Sequence, residues 1–348
     1  MPKSKQSILK IVLVNLVILG TTVLLLIVFG EIAIRSFIPS ADHSGMVRLT
    51  STPITYEMIP NLDIVREGVQ INTNYDGFRD IEFTGEPKAG QFVIALLGDS
   101  YVFGQGVPQS ETLPAILQGL LNRYHKTGRF RVWNLGVSGY NTEQEAYQLE
   151  HFVLDKKPNW VVVGYNINDI EPIGVDPGLI KTEEKSEQSM WGRLSRYIHN
   201  DLLITQFVKQ RIGNFIRLFN PNWYASTYAQ DTVNQYLAPD GPWHEKVSGL
   251  LKRMKSECES KGIGFTVALL PAMLDFRNYP FQKANNIILD FCKKNQIDCI
   301  DTLSYFKNQN FMNFWVSSMD PHPNAKAQKI YAKAIADHLK PKISLAGN

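Results

Sequence analysis

The chain has 348 residues, 44% of them hydrophobic and 20% charged, a balance that supplies a large buried core and excludes a disordered or fibrous protein. Its 36 Lys and Arg stand against 33 Asp and Glu, and Lys3, Lys5 and Lys10 account for the whole net charge of +3. The rest is neutral, without the basic surface of a nucleic-acid binder, and three cysteines with no CxxC spacing argue against a zinc site or a disulfide-rich scaffold.

Ile11 to Gly30 reads IVLVNLVILGTTVLLLIVFG, without a charge. About 20 residues at ~1.5 Å rise match a hydrocarbon core of ~30 Å. The run is long for the apolar part of a signal peptide, and no small-x-small cleavage site follows it, so residues 1–35 are expected to be a cytoplasmic tip and an uncleaved signal anchor. A cleaved signal peptide and a buried core helix are the alternatives, the latter disfavoured by the missing polar stripe. Lysines ahead of the run favour a cytoplasmic amino terminus and put everything beyond about Arg35 in the periplasm or outside the cell.

Residues 36–90, with Pro39, Pro53, Pro60 and Pro87, read as a stalk with peripheral strands. Within them INTNYDGFRD (Ile71 to Asp80) has turn chemistry at Asp76-Gly77 and reads as an edge feature. Residues 91–348 then alternate short apolar runs with helical ones. Strands are expected at Phe92–Leu97, Val132–Leu135, Trp160–Tyr165, Phe265–Leu270 and Ile297–Ile300. Helices are expected at Glu111–His125, Thr142–Lys156, His244–Lys261, Phe281–Lys294 and about Asn324–Leu339. Fully apolar strands between helices of a dozen residues indicate a parallel sheet covered on both faces, a doubly wound α/β domain. The stretch from about Glu171 to Trp243 is too long for a connection and reads as an insertion, with a helix at about Leu203–Phe219. Its Trp191, Trp223 and Trp243 either pack it onto the body or offer a sugar-stacking platform.

In such a sheet ligands bind beyond the carboxyl ends of the strands. Four motifs fall there: Gly98-Asp99-Ser100-Tyr101, Asn134 to Asn141 (NLGVSGYN), Asn166 to Asp169 (NIND), and Asp320 to Asn324 (DPHPN) before the last helix. Together they hold every part that acyl transfer needs. Ser100 is the candidate nucleophile and requires a base, for which His322 is the candidate, and Asp320 is near enough in sequence to orient it. The amides of Ser100 and Gly139 and the side chain of Asn168 are oxyanion donors. The competing phosphate-loop reading of Gly98 to Gly106 fails because the Lys-Ser/Thr ending and the GxGxxG spacing are both missing.

These four blocks, in this order over about Phe92 to Leu339, resemble the SGNH/GDSL hydrolase family, in its membrane-anchored bacterial form. The resemblance implies a three-layer α/β/α flavodoxin-like fold, ester hydrolysis or acyl transfer at Ser100, His322 and Asp320, and no metal or cofactor. Many members place the acid three residues before the histidine, where this chain has Met319, and Asp320 stands two before. The expected activity is that of an extracytoplasmic serine esterase on O-acyl, especially O-acetyl, esters of a surface glycan or lipid. The alternatives are an O-acyltransferase working beside a membrane-bound acyltransferase or acyl-donor partner, and a catalytically silent glycan-binding scaffold. His43, His125, His151, His199, His244 and His338 read as structural or solvated, and Asp99 and Asp169 as hydrogen-bonding residues of their turns. Cys292 and Cys299 are either a disulfide or reduced core residues, with Cys258 free.

Overall fold

The computed structural model describes residues 3–37, 45–66, 68–83, 87–126, 128–171, 234–238, 240–317 and 320–345. The expected helix at Leu203–Phe219, Trp191 and Trp223 lie outside them. The chain divides into two compact units, residues 1–43 with 177–215, and residues 44–176 with 216–348. Of the first unit only helix α1 (Lys3–Phe37) is described. Its Lys10–Ala33 stretch has a mean hydropathy of 2.9 and none of it is buried, so length and composition suit a membrane span or a signal sequence.

The second unit begins with two antiparallel hairpins, β1 (Val47–Leu49) with β2 (Tyr56–Met58) and β3 (Asp63–Arg66) with β4 (Val69–Asn72). The main sheet comes next in the chain: β5 (Phe92–Gly98), β6 (Phe130–Gly136), β7 (Trp160–Tyr165), β8 (Gly264–Leu269) and β9 (Asp298–Asp301). They lie in the order β6-β5-β7-β8-β9, all parallel, which is the flavodoxin-like order with β5 and β7 central. All seven residues of β5 are buried, as a strand covered on both faces requires. The connections carry α2 (Ser100–Phe103), α3 (Leu113–Tyr124), α4 (Thr142–Gln148), α5 (Ser248–Ser260) and α6 (Gln282–Lys294), and α7 (Ala325–Leu345) closes the unit.

Each expected strand is present within two residues at either end. The expected Thr142–Lys156 helix is α4 followed by a π turn (Leu149–Val153) and a 3-10 turn (Leu154–Lys156). A capping box at Asn141 and Gln144 starts it. Helix α7 runs past the expected end through Pro341, which sits where one lost N–H bond ends little of the helix. Trp243 is 1% exposed, with its ring edge-on to Tyr165 and Phe291, so this tryptophan packs into the body. All three cysteines are free, Cys258 and Cys292 buried.

Two features aim the site. At the carboxyl ends of β6, β5 and β7 the glycines Gly136, Gly98 and Gly164 stand side by side. A Cβ at Gly136 would lie 2.2 Å from the Phe103 nitrogen, and one at Gly98 would lie 2.3 Å from Val102, so α2 can rest directly on the sheet edge. The second is a short hairpin of β10 (Trp315–Ser317) and β11 (Asp320–Pro323), which delivers the DPHPN segment. Asn324 secures it, donating to the carbonyls of Asn313 and Trp315 while its side-chain oxygen accepts from the Lys326 and Ala327 amides that open α7.

The far end of α7 is held at the opposite edge of the sheet. His338 and Lys342 contact the Asp298 carboxylate, which also accepts from Thr266 at 2.7 Å. Burial alone would raise Asp298, but the hydrogen bonds from His338, Lys342 and Thr266 hold it well below the usual carboxylate range. A depressed carboxylate adds stability above its unfolded value near 3.9, and that stability is lost as pH falls through the lower folded value. Asp298→Asn should therefore cost roughly 1–3 kcal/mol near neutrality. The difference in melting temperature from the parent should narrow below pH about 4; a pH-independent difference would contradict this account.

Candidate active site

Ser100 is the first residue of α2, capped by Asp99, whose carboxylate accepts from the Tyr101 amide at 2.8 Å. Its Oγ lies 3.0 Å from Nε2 of His322, a residue 222 positions further along the chain. On the other side of the imidazole Nδ1 lies 2.6 Å from Oδ1 of Asp320. The same carboxylate oxygen accepts from the His322 backbone N–H at 2.9 Å. A carboxylate at Nδ1 selects the tautomer with the proton on Nδ1, which leaves Nε2 as the acceptor facing Ser100. The residue two before the histidine thus makes the contact, by folding its side chain back over its own turn.

Gly139 lies in the loop after β6 with φ +82, a left-handed conformation that favours glycine. Asn168 stands in the 3-10 turn Ile167–Ile170, whose capping box joins Asn166 and Asp169. Its Nδ2 donates to Asp99 Oδ2 at 3.0 Å. A carboxamide nitrogen carries two hydrogens, so this bond fixes the group and uses one of them. The structure therefore brings Ser100, His322 and Asp320 into one hydrogen-bonded series, and joins Asn168 to the Ser100 turn through Asp99.

Three residues of this neighbourhood carry no signal in the sequence. Gln328, fully buried in the first turns of α7, donates to the Tyr101 carbonyl at 3.0 Å and accepts from the Leu113 amide at 2.7 Å. A longer bond of 3.4 Å reaches the carbonyl of Pro323, so one amide links the Ser100 turn to the residue after His322. Arg79 is the second. The edge feature expected around it is instead a buried contact: the guanidinium is 1% exposed and donates to the carbonyls of Phe103, Gly104 and Val107, which follow Ser100. Desolvation pushes its pKa down to about 10, and its face lies over the Phe103 ring. Its charge is accommodated by carbonyl dipoles, and nothing in a sequence pattern announces such acceptors.

The third is Glu145, in the first turn of α4, fully buried with neither carboxylate oxygen hydrogen-bonded. Burial, and then repulsion from Asp99, hold it well above the ordinary value of 4.5. Asp99 and Asp169 are raised for the same first reason, burial. Besides closing their turns, as expected, they thus belong with Glu145 to a set of buried acids near Ser100. Among the described residues no group of three or more His, Cys, Asp or Glu is disposed to hold a metal ion.

An α/β sheet with serine, histidine and carboxylate in series at its carboxyl edge is the arrangement of a serine hydrolase. Residues 96–330 match the GDSL-like Lipase/Acylhydrolase family, and the chain belongs to it, as a serine ester hydrolase. Among solved structures it is similar to Axe2, an acetylxylan esterase from Geobacillus stearothermophilus. The identity is 15%, over 71% of this chain and 94% of that chain, with a TM-score of 0.44. It is also similar to LAE5, an alpha/beta hydrolase enzyme from the metagenome of Lake Arreo, at 12% identity over 72% and 95%, with a TM-score of 0.43. A search of curated proteins finds no match.

The buried acids make a prediction about pH. Unfolded, Glu145 ionises at its ordinary value near 4.5, while folded it keeps its proton to higher pH. Stability present below that value is then lost as pH rises toward the folded pKa. Glu145→Gln, which cannot ionise, should gain in melting temperature over the parent between pH 4 and pH 8. A difference that stays constant over that range would contradict the assignment.

Proposed function

We propose that the chain is a membrane-anchored, extracytoplasmic serine esterase that removes O-acyl groups, acetyl above all, from a surface glycan or lipid. Ser100 Oγ attacks the ester carbonyl while His322 Nε2 takes its proton, and the same imidazolium returns that proton to the departing alcohol. Asp320 keeps the imidazole in the productive tautomer and balances its transient charge. The N–H groups of Ser100 and Gly139 and the second amide hydrogen of Asn168 receive the oxyanion, each such donor being worth about 10² to 10³ in rate. Water then attacks the acyl-serine with His322 as its base.

The observation that carries this reading is the unbroken series Ser100–His322–Asp320, with distances of 3.0 Å and 2.6 Å. The anchor rests on the Lys10–Ala33 helix, and the lysines before it favour export of the polypeptide beyond it. An esterase tethered at a membrane surface meets esters of the envelope, which is the argument for a surface glycan or lipid as substrate.

On a chromogenic acetyl ester, Ser100→Ala should be inactive and Asp320→Asn should lose up to roughly 10⁴ in kcat. Full activity of either, in a folded protein, would overturn the assignment. The fate of the acyl group is read by adding an acetylated oligosaccharide donor and an unacetylated acceptor: free acetate should form faster than acetylated acceptor. The reverse order would make the protein a transferase with the same residues.

A further inference from the structure

Residues ahead of the family match reach the loop that holds Gly139. Tyr56, in β2 and 2% exposed, donates its hydroxyl to the carbonyl of Ser138 at 3.0 Å. That carbonyl belongs to the same peptide unit as the Gly139 N–H. In a planar trans peptide C=O and N–H point in opposite directions, so a donor that holds the oxygen also fixes where the hydrogen points. Here it points away from Tyr56. A hydrogen bond on the carbonyl also polarises the amide and strengthens its N–H as a donor.

The fit is tight on both sides. A Cβ at position 139 would lie 2.7 Å from the Tyr56 hydroxyl, so tyrosine and glycine each depend on the other. The tyrosine is itself held, because its carbonyl accepts from the Tyr140 hydroxyl at 2.8 Å and the two rings meet edge to face at 5.4 Å. Gln144 donates to the Ile54 carbonyl at 2.8 Å, a third link from the β1–β2 hairpin to the same region. Ser138 is fixed a second time by donating from its hydroxyl to Gln105 at 2.9 Å.

We infer that Tyr56 is a positioning residue for the reaction: from outside the α/β sheet it orients the Ser138–Gly139 peptide so that the Gly139 N–H meets the oxyanion. The inference rests on the proposed role of Gly139. It also gives residues 45–58 a task beyond that of a spacer, since this hairpin supplies the hydroxyl.

Tyr56→Phe tests it, because the ring stays and only the hydroxyl is lost. On p-nitrophenyl acetate its kcat should fall at least tenfold with KM within twofold, and its rate of labelling by a fluorophosphonate should fall in parallel. Tyr279→Phe, which loses another buried hydroxyl that accepts from the Ala272 amide at 2.9 Å, is the comparison for a purely structural loss. It should lower the melting temperature by a similar amount and leave kcat within twofold. A Tyr56→Phe protein with kcat within twofold of the parent, while Ser100→Ala is inactive, would overturn this inference and leave the proposed function standing. So would a fall in kcat that Tyr279→Phe matches. A folded parent that neither hydrolyses the ester nor takes the label would overturn both.

Discussion

The structure depends on one contact, 3.0 Å between a serine hydroxyl and an imidazole nitrogen that are 222 residues apart in the chain. Neither side chain can make it alone, since each must be carried to the same edge of the sheet by a different element. The glycine row at the ends of β6, β5 and β7 lets α2 sit low on that edge, and the β10–β11 hairpin brings His322 over it. Gln328 then fastens the two carriers to each other through backbone groups of Tyr101 and Pro323. The contact is therefore the outcome of close packing at one place and of a buried amide at another, and a loss at either would open the distance.

Around this contact the polar groups are arranged at unequal cost. Arg79 and Gln328 use backbone carbonyls as acceptors and so bury a charge or an amide, the Arg79 bonds all running through its two terminal nitrogens. The acids Asp99, Glu145 and Asp169 are different. Burial raises all three, and Glu145 has neither oxygen hydrogen-bonded, a cost that cores rarely carry away from a functional site. Asp99 offsets part of it by capping α2 and holding Asn168. Its carboxylate thus couples the turn that presents Ser100, the proposed nucleophile, to the group proposed to meet the oxyanion.

The fold is largely legible in the sequence because its signals are local. Five short runs, each bounded by turn residues, mark the five strands of the parallel sheet, and a glycine or asparagine after four of the elements marks the edge where the chemistry gathers. Asp320 is legible for the same reason, being two residues from the group it holds. Arg79, Gln328, Glu145 and Tyr56 are not. Arg79 reaches the Phe103 carbonyl 24 positions on, Tyr56 the Ser138 carbonyl 82 positions on and Gln328 the Tyr101 carbonyl 227 positions back, and across such gaps residue type and periodicity carry no information. Glu145 is set apart only by its burial near Asp99. The INTNYDGFRD segment reads as an edge feature from the turn chemistry at Asp76-Gly77, and only the folded chain supplies the carbonyls that bury the Arg79 guanidinium, a group that is normally exposed.

The central claim is that Ser100 is a nucleophile activated by His322. Peptide mapping of the folded protein after reaction with a fluorophosphonate tests it most directly. The account predicts a single stoichiometric adduct on Ser100 that is nearly absent when His322 is replaced by alanine. A stable adduct on another residue, or labelling of Ser100 that persists undiminished without His322, would contradict it.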